Sequence, residues 1–454
     1  EADDQLRQRM AYALSQILVF SDQTMFRKAP QMTARYMDIL TEGAFGNYRD
    51  LLEEVTFSTA MGNYLTYLRS RKGDPTTGSQ PDENYARELL QLFTVGLVEL
   101  HPDGRPVVDN TGRELPVYDN GAIHELAKVF TGLGYQGAEF YQPFKSVPVT
   151  SVYSQLAMFE EHNDKDAKSI FGAVIPAGID GKEGIRMALD AIFAHPNVGP
   201  FISRQLIQRF VTSSPAPDYT QRVAAAFNSG LYSLPSGDTV GTGRRGDLQA
   251  VLAAILLDEA ARGETARARD TFGKVKEPVL RFTHWARAFR VNDADPSNID
   301  LLQASGGNVR LGQHPFRAPS VFNFYRPGYM APGSSTAVAG LNAPELEITN
   351  STSIVGYASF IKDFIFEKLD KIDPAKPDAY QPDYAYQAGL SQDINALLDN
   401  LDLLLTYGTL RDETRDRIAA LLSTKAASSP EERQYRVQLA TMMIMTSPEY
   451  LVLR

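Results

Sequence analysis

The sequence predicts an all-α fold: a large multi-helical globular unit with a small β-hairpin insertion and long irregular loops. Three observations predict it. Apolar residues recur at i, i+3, i+4, i+7 in one segment after another. Period-2 runs bounded by turns are scarce. The chain has 454 residues, 43% of them apolar and 22% charged, enough for a full hydrophobic core.

In chain order, Leu6, Met10, Ala13, Leu14 and Ile17 give the first helical stripe. Pro81-Asp82-Glu83-Asn84-Tyr85-Ala86-Arg87-Glu88-Leu89-Leu90-Gln91-Leu92-Phe93-Thr94-Val95-Gly96 predicts the best-defined helix. Pro81 suits a first turn, and Ser79 or Gln80 suits its cap. Asp82 and Glu83 suit the positive end of the dipole, and Gly96 the left-handed stop. Leu97–His101 and the following PDGRPVVDNTGRELPVYD predict the hairpin, with turns at Asp103-Gly104 and Asn110-Thr111-Gly112. Residues 134–158 carry aromatics and Pro without a period. Further helical patterns occupy 182–194, then Ile202 to Phe210 after His195-Pro196, then 218–229, 247–261 and 275–291. Residues 303–346 are rich in Gly, Pro and Ser and predict a second irregular stretch. Helical patterns resume at 352–369, 390–406, 411–424 and 431–446. We read residues 1–454 as one domain with two helical lobes, about 1–300 and 350–454, joined near 303–346.

Composition narrows the function. The net charge is −10 and no Lys/Arg block stands out, which argues against a nucleic-acid partner. No apolar run approaches the ~20 residues of a membrane span. Without cysteine the chain has no disulfide, thiolate zinc site or cysteine nucleophile. No nucleophile elbow, P-loop or dinucleotide fingerprint is present.

The helix at 81–96 places Asn84, Arg87, Glu88 and Gln91 on one side. That side is either a solvated face with an Arg87–Gln91 contact, or a buried polar seam with Glu88 facing a metal or substrate. His162 with Asp164 and Asp166 is the best imidazole–carboxylate cluster, and its bland alternative is a charged surface turn. Asn84, Glu88, His162 and Asp164 are the candidate ligands of a divalent metal ion. Glu88, Arg87 and His162 are the candidate catalytic groups, Arg87 orienting Glu88 or an anionic substrate. Lastly, GQHPFRAPSVFNFYRPGYMAPG at 312–333 interleaves aromatics with Arg. Arg317, Phe324, Tyr325, Arg326 and Tyr329 form either a binding platform or an apolar plug.

PDENYARELLQLFTVG resembles the signature of a bacterial family, domain of unknown function 1800. Tyr118-Asp119 with Leu126 to Gly132 resembles a second block of that family. His162 with Lys168-Ser169-Ile170-Phe171-Gly172 resembles a third, HPNVGPFISRQLIQRFV a fourth, and Ser447-Pro448-Glu449-Tyr450 the usual terminus. Two departures stand out. Leu133 follows Gly132 where many relatives have Trp, and Asn163 separates His162 from Asp164. The resemblance implies an all-α exported protein, periplasmic, secreted or at the cell surface. It also implies a partner of the family domain of unknown function 1501, which is similar to phosphatases and sulfatases, and an extracellular polysaccharide as a further partner. No reaction comes with it. The first residue is Glu1, and the resemblance implies family sequence ahead of it, so a start and any targeting signal are expected outside this sequence. The leading reading is therefore a binding or assembly component, and the alternative is a metal-assisted hydrolase.

Overall fold

A computed structural model of the chain describes residues 3–22, 29–293, 310–366 and 380–454. Residues 303–309 of the predicted irregular stretch and 367–369 of the predicted helical segment lie outside the described residues. Helices dominate the described residues, at 52%, and the sheets among them are small and two-stranded. It divides into two compact units. One is Glu1–Arg269 with Ala318–Asn323; the other is Asp270–Arg317 with Phe324–Arg454.

In the first unit, Gln5–Ser15, Gly181–Ala194, Val198–Phe210 and Pro217–Ser229 form helices where the period predicts them. Their starts follow local chemistry. Asp180 accepts from the backbone N–H groups of Lys182 and Glu183, and Asp247 does the same for Gln249 and Ala250 ahead of Leu248–Leu257. Pro30–Glu42, Tyr48–Thr56 and Thr59–Tyr64 are further helices that the periodicity did not single out. Residues 97–117 fold as two successive tight turns. Glu99 donates to Leu115 O and accepts from Val107 N–H, so three short segments pair rather than two. Gly104 and Gly112 hold the turns with φ of +80° and +83°. In the predicted irregular stretch at 134–158, Leu133–Tyr135 pairs antiparallel with Leu156–Met158.

In the second unit, Pro278–Ala288, Ser351–Ile365, Ile394–Thr406, Asp412–Ser423 and Pro430–Met445 pack around one apolar core. Phe282, Trp285, Phe360, Phe364, Leu398, Leu401 and Ile444 are central to it. Asn350 and Ser429 open two of these helices with reciprocal capping boxes. Lys274–Val275 pairs with Val452–Leu453. Beside that ribbon lies a buried ionic cluster. Lys274 Nζ is 3.2 Å from Glu345 Oε1 and 3.9 Å from Glu277 Oε1, and Gln313 Nε2 donates to Glu277 Oε2 at 2.6 Å.

Charges this deeply enclosed hold each other in place, and removing one strands the rest. Glu345→Ala is therefore expected to destabilise the second unit by about 3–5 kcal/mol. Trp285 is the sole tryptophan and sits in this core. Its fluorescence during urea unfolding reports the loss directly.

Candidate functional site

The segment Pro81–Gly96 departs from the helix its sequence predicts in two ways. The helix starts at Asn84, not Pro81. Asp82 Oδ1 accepts from the Asn84 N–H at 2.9 Å, and the Asp82 N–H donates to Ser70 Oγ at 3.0 Å. An Asx turn thus takes the place of a first helical turn, and neither Ser79 nor Gln80 caps it. Five residues on, the α-helix Asn84–Glu88 widens into a π-helix, Leu89–Thr94. The Thr94 hydroxyl donates to Leu89 O at 2.6 Å, and the N–H groups of Val95 and Gly96 both reach Leu90 O at 3.0 Å. Tyr48 donates its hydroxyl to Phe93 O at 2.8 Å. π-Helical turns are uncommon and often mark functional sites.

The exit is fixed as firmly. Gly96 has φ +76°, and a Cβ there would lie 2.9 Å from the Phe201 ring. The buried amide of Asn197 donates to Val95 O and Val98 O at 2.9 and 2.8 Å and accepts from the Leu100 N–H at 3.0 Å.

Glu88, Leu89 and Leu90 are consecutive and all buried, while Asn84, Arg87 and Gln91 are half-buried. Glu88 is 7% exposed, and its Oε2 is enclosed with no hydrogen-bond partner. Burial pushes its carboxyl above the usual range, partly offset by the nearby Arg87 charge. Tyr64 and Tyr118 sense Glu88: burial first, then the Glu88 charge, pushes each hydroxyl up to about 12. The Tyr118 hydroxyl is also enclosed without a partner. Aromatic side chains form the neighbouring core. Tyr67 stacks on Tyr85 at 4.2 Å, Tyr85 meets Phe130 edge-on at 4.8 Å, and Phe20 touches Tyr64 at 5.8 Å.

Polar groups continue from there. Glu83 accepts from Arg87 at 3.2 Å and lies 3.4 Å from His124 Nδ1. The Arg87–Gln91 contact of the solvated-face alternative is not the one formed: Arg87 turns back to Glu83. Asn84 reaches Thr66 Oγ1 at 3.4 Å, and Thr66 donates to Asp82 Oδ2 at 2.9 Å. Thr66 is β-branched yet has φ +64°, a strained conformation.

The His162 segment is occupied differently. The His162 ring stacks on Phe140 at 4.0 Å. Asp164 Oδ1 is 2.9 Å from the Lys168 ammonium, which is buried and also donates to the backbone oxygens of Asp164 and Asp166. Lys168 thus fills the centre of this loop. Among the described residues, no group of three or more His, Asp or Glu is placed to hold a metal ion. Glu88, His162 and Asp164 are therefore not brought together as one ligand set.

Comparison with known proteins settles the family. The family model of a protein of unknown function, DUF1800, matches residues 1–452. The chain belongs to the DUF1800 family. No curated protein and no solved structure matches it.

In this DUF1800 chain Tyr118, outside the 81–96 segment, comes close enough to Glu88 to sense its charge. Tyr64 belongs to no motif quoted above, and nothing in its surroundings in sequence announces it. The loop at 312–333 divides by residue. Tyr325 is 1% exposed, whereas Arg317, Phe324 and Tyr329 are half-buried. Arg326 is exposed and pairs with Glu347 at 2.6 Å.

Two outcomes follow from this geometry. The proton on Glu88 is held more tightly in the folded chain than in the unfolded one. Stability linked to Glu88 is thus full below the ordinary value near 4.5 and is lost as pH rises through the raised folded value. Glu88→Gln is expected to be more stable than wild type at about pH 8, the gap closing towards about pH 4. Urea midpoints across that range check it. Tyr325→Ala is expected to cost about 3–5 kcal/mol, as the loss of a fully buried ring does. An unchanged melting temperature would instead mark Tyr325 as a surface contact.

Proposed function

We propose that this DUF1800 protein is an exported binding or assembly component, acting at the cell surface or in the periplasm. Its partner is a protein of the family domain of unknown function 1501, and it engages that partner through the polar side of Asn84–Glu88. The observation that carries the reading is a pair of enclosed oxygens left without partners, Glu88 Oε2 on that segment and the hydroxyl of Tyr118 near it. Each unsatisfied buried polar atom costs about 1–3 kcal/mol. A ligand that donates to the carboxyl relieves part of that cost, so the site favours occupancy. The strained Thr66 and the π-turn beside it add to the case for a working site. The metal-assisted hydrolase receives less support, because Lys168 already neutralises Asp164 and the expected ligands do not converge.

The test is purification at native abundance from the host, comparing wild type with Glu88→Gln. Wild type is expected to recover the 1501-family neighbour. Glu88→Gln, which keeps the shape and loses the charge, is expected to recover about tenfold less, the equivalent of about 1.4 kcal/mol. Recovery of a partner-free monomer in both samples overturns the reading. Recovery of polysaccharide in place of the neighbour reassigns the partner.

A further inference from the structure

A second unusual group lies in the other unit, independent of Glu88. Lys276 follows the Lys274–Val275 strand and is 7% exposed. Its backbone is pinned at both ends: the N–H donates to Leu451 O at 2.9 Å, and the carbonyl accepts from Arg281 Nε at 2.7 Å. Its Nζ sits 3.8 Å from the centre of the Tyr450 ring and 3.2 Å from His284 Nδ1. His284 Nε2 is 3.2 Å from Leu404 O. A carbonyl only accepts, so Nε2 carries the hydrogen and Nδ1 presents its lone pair to the amine. The imidazole lies nearly parallel to both Tyr407 and Tyr450, at 5.6 and 5.5 Å.

The charge that acts on this amine is that of Arg281. Arg281, from the same helix as His284, is buried against the Tyr357 ring, and Glu277 and Glu345 act on Arg281. Burial, then the Arg281 charge, pulls the Lys276 amine down to about 7. Its neutral, nucleophilic form is therefore populated at neutral pH.

We propose that Lys276 is a carbamylation site, its amine capturing carbon dioxide with His284 as proton acceptor and Arg281 as counter-charge. The Nζ lone pair attacks the carbon, an N–C bond forms, and one C=O electron pair moves to oxygen. The displaced N–H proton goes to His284 Nδ1, towards which it already points. The product is a carbamate anion beside an imidazolium and a guanidinium, with no oxidant or reductant consumed. Arg281 thus disfavours the ammonium and favours the carbamate. Carbon dioxide suits so enclosed an amine because it is small and uncharged.

The whole chain is equilibrated with bicarbonate at pH 7.5, trapped with triethyloxonium, digested and read by mass spectrometry. The expected result is a trapped carboxyl group on the Lys276 peptide. It rises with dissolved carbon dioxide and falls about tenfold or more by pH 5.5, where the amine is protonated. His284→Asn, which removes the proton acceptor, is expected to lose most of the signal while wild-type helicity is retained. The proposal is overturned if the Lys276 peptide is recovered unmodified while the N-terminal amine or the exposed Lys145 is labelled. It is equally overturned if His284→Asn leaves the trapped fraction and its pH profile unchanged.

Discussion

The backbone of Leu89–Thr94 closes its hydrogen bonds one residue later than an α-helix does, and Glu88 is the last α-helical residue before that widening. An extra residue in a helical turn leaves backbone groups out of register, and a buried one must find partners elsewhere. Here they are specific. Thr94 closes onto Leu89, Tyr48 reaches in from another helix to Phe93, and Asn197 satisfies the exit. With those contacts in place, a carboxylate is held in the interior next to two leucines.

The helices were legible because their information is local. Apolar spacing with Asp180, Asp247, Asn350 and Ser429 at the caps fixes where Gly181–Ala194, Leu248–Leu257, Ser351–Ile365 and Pro430–Met445 begin. Glu88 was legible as a candidate because it sits in an ordered motif. Its surroundings were not. Tyr64 and Tyr118 arrive from distant parts of the chain, and no spacing rule links them to Glu88. The π-turn was also hidden, since LLQLFT has an ordinary helical pattern and the side chains that bond its end, Tyr48 and Asn197, come from elsewhere in the chain. The His162 segment was misleading for the opposite reason. Its acids are close in sequence, but Lys168, four residues after Asp164, returns to pair with the Asp164 carboxylate and to bond the Asp166 backbone oxygen.

Glu88 and Lys276 illustrate one rule with opposite signs. Burial disfavours charge, so it raises a carboxyl and lowers an amine, bringing each nearer to neutral pH. Within the second unit, neighbouring lysines are treated differently. Glu345 and Glu277 neutralise a deep Lys274, whereas Lys276, two residues on, receives an imidazole and an aromatic face instead. Two lysines on one short ribbon therefore have different chemistry because of which side chains each meets.

Asn197 also bears on the order of folding. Its bonds to Val95, Val98 and Leu100 span 102, 99 and 97 residues of chain. Closing so long a loop costs entropy that a single amide cannot recover, so the staple follows assembly of the surrounding helices rather than leading it. During synthesis, the PDENYARELLQLFTVG segment emerges well before the residue that fastens its end. Until about a hundred further residues have followed, its widened turn has no fixed exit, and the nascent segment is free to sample an ordinary α-helix.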